Sequence, residues 1–342
     1  MSDNTAIEWT EATWNPVRGC TKVSEGCRNC YAMGVAYRFS GPGQPYEGLA
    51  HKVNGKAEWT NKVVVVPELL HAPLRWRKPR RIFVNSMSDL FHPDVPDNAI
   101  EAVWRIMGSC PHHTFQILTK RPERMARLLR SWQGRHEYHL RRPLPNVWLG
   151  VSVENQQAAD ERIPWLLRTP AAVRWLSCEP LLGEVSLAHY IIDDWTRIGD
   201  DVHYHHDGDV TRALHWVVVG GESGPHARPM HPQWAQSLRD QCQAAGVPFF
   251  FKQWGEWIPA TERAHRDCEI WSDLVADKPW GLLTLDGEYL PTTTTWNGRQ
   301  NDPDDNYEVS IYRVGKKAAG RALDGRTWDE YPVQPEPTHE LR

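Results

Sequence analysis

"TFQILTKRPE", residues 114–123, sets the fold. A short apolar run gives way at once to the polar pair Thr119-Lys120. Arg121-Pro122 follows, and proline just inside a start is helix-opening chemistry. An apolar core of four or five residues has the length of a buried parallel strand. The same plan recurs in "RIFVNSMSD" (81–89), "NVWLGVSVEN" (146–155), "VRWLSCEPL" (173–181), "HWVVVGGESG" (215–224) and "VPFFFKQWGE" (247–256). Segments of helical length, 97–109, 122–132, 156–168 and 232–245, separate these runs. "ATWNPVRGC" reads as a first strand. Strands alternating with helices imply an α/β fold, and six or seven such units predict a partial parallel (β/α)6-7 TIM-like barrel.

Two segments interrupt this rhythm. Residues 41–62, rich in Gly and Asn, read as a loop insertion, and 187–213, containing "DDVHYHHDGD", as a polar insertion. The domain reading is therefore a barrel over 1–258 with those two insertions. A small C-terminal extension over 259–342 packs on it. "WGLLTLDGEYLPTT" predicts a hairpin around Asp286-Gly287 within the extension.

Composition narrows the class. With 39 basic and 43 acidic side chains the net charge is −4, so no global field advertises nucleic acid or membrane. No stretch approaches the roughly 18 apolar residues of a membrane span, and the N-terminus lacks the layout of a signal peptide. Of seven cysteines, Cys110, Cys178, Cys242 and Cys268 are scattered singly. That is no disulfide framework, and a reducing cytoplasm is the expected location. The 18 tryptophans read first as core anchors, with base-stacking surfaces as the alternative.

Parallel barrels gather their chemistry at the C-terminal ends of strands. The residues that follow the apolar runs here are unusually polar: Ser86, Ser88 and Asp89; Thr119 and Lys120; Ser152 and Glu154; Cys178 and Glu179; Gly220-Gly221-Glu222 with Ser223; and Lys252-Gln253-Trp254. Helix N-caps also want Ser and Asp at such places. The basic run "RWRKPRR" (75–81) precedes its strand and reads as a solvated face. "GKKAAGR" (315–321) fits a capped helix with exposed lysines as well as it fits a phosphate cradle.

"GCTKVSEGCRNCYA" (19–32) places Cys20, Cys27 and Cys30 within eleven positions. Thiolates suit zinc or iron–sulfur clusters. A structural zinc needs a fourth ligand, which His51 or a histidine of the 203–206 stretch would have to supply. A [4Fe–4S] cube normally takes four cysteines, so three leave one iron open to a small molecule.

With these motifs together, the chain resembles the radical S-adenosylmethionine superfamily, in particular a phage-associated three-cysteine-motif family of unassigned activity. The resemblance runs through "GCTKVSEGCRNCYA", "NSMSDLFH", "ILTKRPERM", "WLGVSVEN", "LSCEPLLG", "VVVGGESG" and "KQWGEW". A looser similarity, in "SMSD" and "LTKR", links it to spore photoproduct lyase and its relatives. The resemblance implies a [4Fe–4S] cluster on Cys20, Cys27 and Cys30, and S-adenosyl-L-methionine chelated at the open iron. Reductive cleavage would then give a 5′-deoxyadenosyl radical that takes hydrogen from a substrate, with the cofactor carrying the chemistry.

Two departures stand out. The gaps are six and two residues instead of the commonest three and two. "GGE", which in the superfamily usually follows the second strand and touches the methionine amino group, here follows the sixth run. Contact with that amino group is accordingly assigned to Ser86, Ser88 and Asp89. Ser152 joins them as a cofactor-binding residue, and Glu222 stands on the rim with its task open.

Among the remaining candidates, Cys178 reads as a hydrogen-atom donor or a small buried side chain. Lys120 pairs a carboxylate or phosphate, or is solvated. Glu154 and Glu179 orient ribose or substrate, or cap helices. His203, His205, His206, Asp207 and Asp209 read as a polar loop or a second metal site. "VVVGGESG" lacks the Lys-Ser/Thr of a phosphate-binding loop. A nucleotide or nucleic acid is the expected substrate, with Trp14, Trp254 and Trp257 as stacking surfaces, and an electron donor is an expected partner. The alternatives are a zinc-stabilised α/β binding protein and a hydrolytic or lyase barrel using Asp89, Lys120 and Glu222.

Overall fold

A computed structural model of the chain describes residues 5–133, 143–191, 214–265, 268–291 and 309–333. Seven parallel strands lie in sequence order in one curled sheet, a half-barrel of the TIM type. They are β1 (Ala12–Trp14), β2 (Arg81–Val84), β3 (Thr114–Thr119), β4 (Val147–Ser152), β5 (Val173–Cys178), β6 (Trp216–Gly220) and β7 (Phe249–Gln253). Each apolar run forms a strand, and β4 and β6 are buried along their whole length, as strands covered on both faces must be. "ATWNPVRGC" is a shorter strand than expected. Ladder pairing stops at Trp14, and Val17-Arg18 turn away to pair with Val64-Val65.

Four helices fall on the segments of helical length read from the sequence, and another directly follows Cys30 where none was expected. They are α1 (Tyr31–Arg38), α2 (Asp97–Gly108), α3 (Pro122–Ser131), α4 (Gln156–Leu167) and α5 (Pro232–Ala245). Proline stands at the first position of α3 and α5, where its missing N–H costs nothing. The His231 ring caps α5 by accepting the Gln233 N–H, and Gly246 closes it.

The chain divides into two compact units. One comprises Met1–Ser152, Asp160–Leu176 and Val333–Arg342; the other comprises Val153–Ala159 and Ser177–Pro332. In the first, Trp9 sits against Phe83 and Trp175, with ring centroids 4.8 and 5.2 Å away, and Trp14 against Phe115 at 5.8 Å. The 41–62 insertion carries a two-stranded hairpin, Ala50–Val53 with Lys56–Trp59, on which α1 packs through Ala32, Met33 and Ala36. In the second unit, β8 (Trp257–Pro259), β9 (Trp280–Leu283), β10 (Tyr289–Pro291) and β11 (Val309–Arg313) form an antiparallel sheet in the order β8-β11-β9-β10. The hairpin predicted at Asp286-Gly287 joins β9 to β10. Most of the 187–213 insertion, including the His203–Asp209 cluster, lies outside the described residues. No described helix is long and apolar enough to cross a membrane.

Gly150 in β4 makes the packing tolerance of the first unit measurable. A Cβ there would stand 2.4 Å from Cε2 of Trp175. Gly150→Ala should cost about 1–3 kcal/mol of stability through overpacking, read as a lower urea midpoint at unchanged slope. An unchanged midpoint would show that the indole can move aside freely.

Candidate functional site

The polar turn after β2 is spent on lashing down the cysteine loop. Asn15, just past β1, accepts the Met87 N–H (3.1 Å) and the Ser86 hydroxyl (3.2 Å) on its side-chain oxygen. The Asn85 N–H donates to the Trp14 carbonyl (2.8 Å), and Asn85 Oδ1 accepts the Val17 N–H (3.3 Å). The Ser88 hydroxyl donates to the Val17 carbonyl (2.8 Å), and Gly19 bridges Ser88 in parallel. Gly19 has φ +85°, and a Cβ there would lie 2.1 Å from the Lys62 carbonyl oxygen, so only glycine can precede Cys20.

Cys20, Cys27 and Cys30 are free thiols, each partly exposed. They lie close enough to repel one another as thiolates. Burial foremost, then the neighbouring Asp89, pushes the Cys20 thiol up to about 12, against the pull of Arg121. Burial also raises Cys30, although the N–H groups of Ala32 and Met33 at the start of α1, and the charge of Lys120, favour its thiolate. Among the described residues no three His, Cys, Asp or Glu side chains converge where a single ion would sit.

Asp89 is the hub beside this loop. It is only 5% exposed. One carboxylate oxygen accepts the Phe91 N–H (3.0 Å) and the Thr119 hydroxyl (2.7 Å). The other accepts the Lys120 N–H (3.2 Å) and Arg121 Nη1 (2.7 Å). The Arg121 guanidinium then reaches the cysteine loop, donating through Nη2 to the Thr21 hydroxyl (2.7 Å) and carbonyl (3.1 Å). His92 Nε2 meets the same hydroxyl at 2.8 Å, while its Nδ1 accepts the Asp94 N–H. Burial first, then Arg121, lowers the His92 pKa, which fits a neutral ring donating from Nε2. Ends of β2 and β3 and the residue after Cys20 are thus one hydrogen-bonded unit. Arg121 was part of the "LTKR" motif yet carried no expected role; its signal was a cation next to the residues that face Asp89.

Ser152 closes β4, buried, with its carbonyl accepting from Arg162 Nη1 (2.7 Å).

The second unit holds the other expected residues. Glu154 is 1% exposed, and its carbonyl accepts the Leu182 N–H. Cys178 is fully buried at the end of β5, the setting of a packing cysteine. Glu179 Oε1 pairs with Lys252 Nζ at 3.0 Å. A Cβ on Gly220 would come within 2.7 Å of that same oxygen. Glu222 grips Arg228 with both oxygens, 2.7 Å to Nη2 and 2.9 Å to Nε, and also accepts the Arg228 N–H. Gly221 and Gly255 let two backbones cross, since Cβ atoms there would stand 2.0 Å from the Trp254 carbonyl oxygen and 2.1 Å from that of Glu222. In this run Gly220 leaves room for Glu179, Gly221 allows a backbone crossing, and Glu222 clasps its own loop through Arg228.

The tryptophans correct an expectation. Trp14, Trp254 and Trp257 are buried, and their indole N–H groups are committed to the carbonyls of Leu69, Ala322 and Ala227. None presents a face to a base, and the core-anchor reading holds.

The chain belongs to the family described as "Protein of unknown function (DUF5131)", whose model matches residues 4–332. No curated protein matches it. Among solved structures it is similar to a mutant of spore photoproduct lyase, with 11% identity and a TM-score of 0.40, over 72% of this chain and 76% of that one.

The Asp89 hub makes a prediction about stability. Arg121→Met leaves a buried carboxylate without its counter-charge and should cost about 3–5 kcal/mol. Pairing it with Asp89→Leu should cost less than the sum of the two single changes, by chemical denaturation. Strict additivity would mean that the two side chains do not act together.

Proposed function

We propose that the chain is a radical S-adenosylmethionine enzyme whose cluster is held by Cys20, Cys27 and Cys30. The observation that carries this reading is the loop itself. Three unbridged thiols sit on one short loop that leaves the first strand of a parallel half-barrel, where such folds place their chemistry. Their donor set fits a cube better than a single ion. Zinc asks its ligands to converge tetrahedrally, whereas thiolates around a cubane each reach a different iron. Bound there, the cluster would supply one-electron reduction of S-adenosylmethionine, giving methionine and a 5′-deoxyadenosyl radical.

The chain's own residues have separate tasks. Cys30 supplies its thiolate at the start of α1, with Lys120 as a nearby positive charge. Arg121 holds the residue next to Cys20 in place and stands close to that thiol. Ser86 and Ser88, on the turn bridged to the loop, remain the candidates for the methionine end of the cofactor. Asp89 moves from that list to a positioning role, because four protein donors already occupy its carboxylate. The buried Ser24 Oγ in the loop and Asn85 Nδ2 in the turn have no partner among the described residues. Both would gain one from a group seated there. A hydrolytic reading loses support for the converse reason, since Asp89 and Glu222 are each tied to an arginine.

Metal analysis of anaerobically purified protein tests the proposal. About four irons per chain with matching sulfide are expected, and Cys27→Ala should reduce iron to background. With S-adenosylmethionine and a strong reductant, 5′-deoxyadenosine should be released by the intact chain and not by the variant. One zinc per chain, or no metal at all, would overturn the assignment.

A further inference from the structure

The segment that carries the cysteines is electrically unlike the rest of the chain. Residues 18–62 hold seven Lys and Arg against three Asp and Glu, while the whole chain carries −4. Its surface is also unusually apolar. Of nine large hydrophobic side chains left exposed among the described residues, five belong to it: Val23, Tyr31, Tyr37, Phe39 and Val53. These come from the cysteine loop, from α1 and the residue after it, and from the hairpin on which α1 packs. The inner face of α1 is fully used by Ala32, Met33 and Ala36. Its outer side is left with aromatic rings and cations.

Lys22 and Arg28 are paired with Glu58 and Glu25. Arg38, Lys52 and Lys56 are exposed and make no ion pair among the described residues. Lys52 Nζ stands 5.1 Å from the centroid of the Tyr37 ring, so the ring steadies an amine without neutralising it. Tyr31 directly follows Cys30, and its hydroxyl donates to the Ser86 carbonyl at 2.7 Å. That bond ties this surface to the turn that lashes the cysteine loop.

We infer that this surface, α1 with the hairpin at 50–59, binds single-stranded nucleic acid. Uncompensated cations track phosphates, and partly exposed rings stack bases without regard to sequence. An acidic protein would also answer the cations. Protein interfaces, however, are depleted in lysine, and lysine supplies two of the three free cations here. The inference deepens the proposed function by naming a substrate class, and it rests on that reading only for what happens after binding.

The test is fluorescence anisotropy with labelled 20-nucleotide DNA and RNA single strands, on the anaerobically purified full chain. Binding that weakens with salt is expected. The triple variant R38E/K52E/K56E should bind at least tenfold more weakly and flatten the log–log salt slope by about two, at roughly 0.7 per phosphate contact. Tyr37→Ala with Phe39→Ala should weaken binding about tenfold through lost stacking. Lys278→Glu, an exposed lysine far along the chain in the other unit, should change nothing. Absent binding at low salt overturns the inference, as does binding that survives the triple change. So does capture of an acidic protein by this surface without oligonucleotide binding. Iron content and 5′-deoxyadenosine release, measured on the same preparations, keep the two ideas apart: a chain that cleaves the cofactor and ignores oligonucleotides refutes only the binding surface.

Discussion

A single buried carboxylate organises the first unit. Asp89 accepts from two backbone amides, a hydroxyl and a guanidinium: one amide is that of Phe91 in its own turn, and the other three donors are the consecutive residues Thr119, Lys120 and Arg121 at the end of β3. A charge taken out of water is tolerable only when its lone pairs are met in this way. The demand fixes the ends of two neighbouring strands relative to each other. It also recruits Arg121, whose remaining N–H groups are then free to grip Thr21. The position of Cys20 is therefore a downstream result of desolvating one aspartate.

From the other side the loop is fixed by backbone chemistry. Asn15, Asn85 and Ser88 exchange hydrogen bonds across the ends of β1 and β2, and Gly19 slips beneath the Lys62 carbonyl. Polar residues that seemed destined to meet a ligand are largely occupied in holding protein to protein. Such support is what a reactive site requires, because a side chain whose surroundings are loose cannot be placed to a fraction of an ångström.

Much of the fold was legible because its signals are local. Pro122 and Pro232 announce helix starts through a missing N–H, and unbroken runs such as "WVVVG" announce strands buried on both faces. What escaped reading depends on partners far away in sequence. Nothing in "RGC" says that Val17 and Arg18 leave the sheet for Val64 and Val65. The aromatic character of Trp14 or Trp254 is visible, but its orientation is not, since a carbonyl many residues away claims each indole N–H. Glu222 was legible as a charge after a strand and illegible as the clasp of Arg228, six positions on. The cysteines were the exception: their number and spacing carry chemical meaning before any contact is known.

The crossing of Gly221 over Gly255 has a bearing on how variation in relatives of this chain should be interpreted. Two strands of main chain touch there with nothing between them but hydrogen atoms. Any replacement at either position must push the backbones apart, whatever reaction the protein performs. Evolutionary constancy at those two places would therefore be steric in origin, and an investigator ranking positions by intolerance to change would be drawn to a hinge pin and away from the machinery it supports.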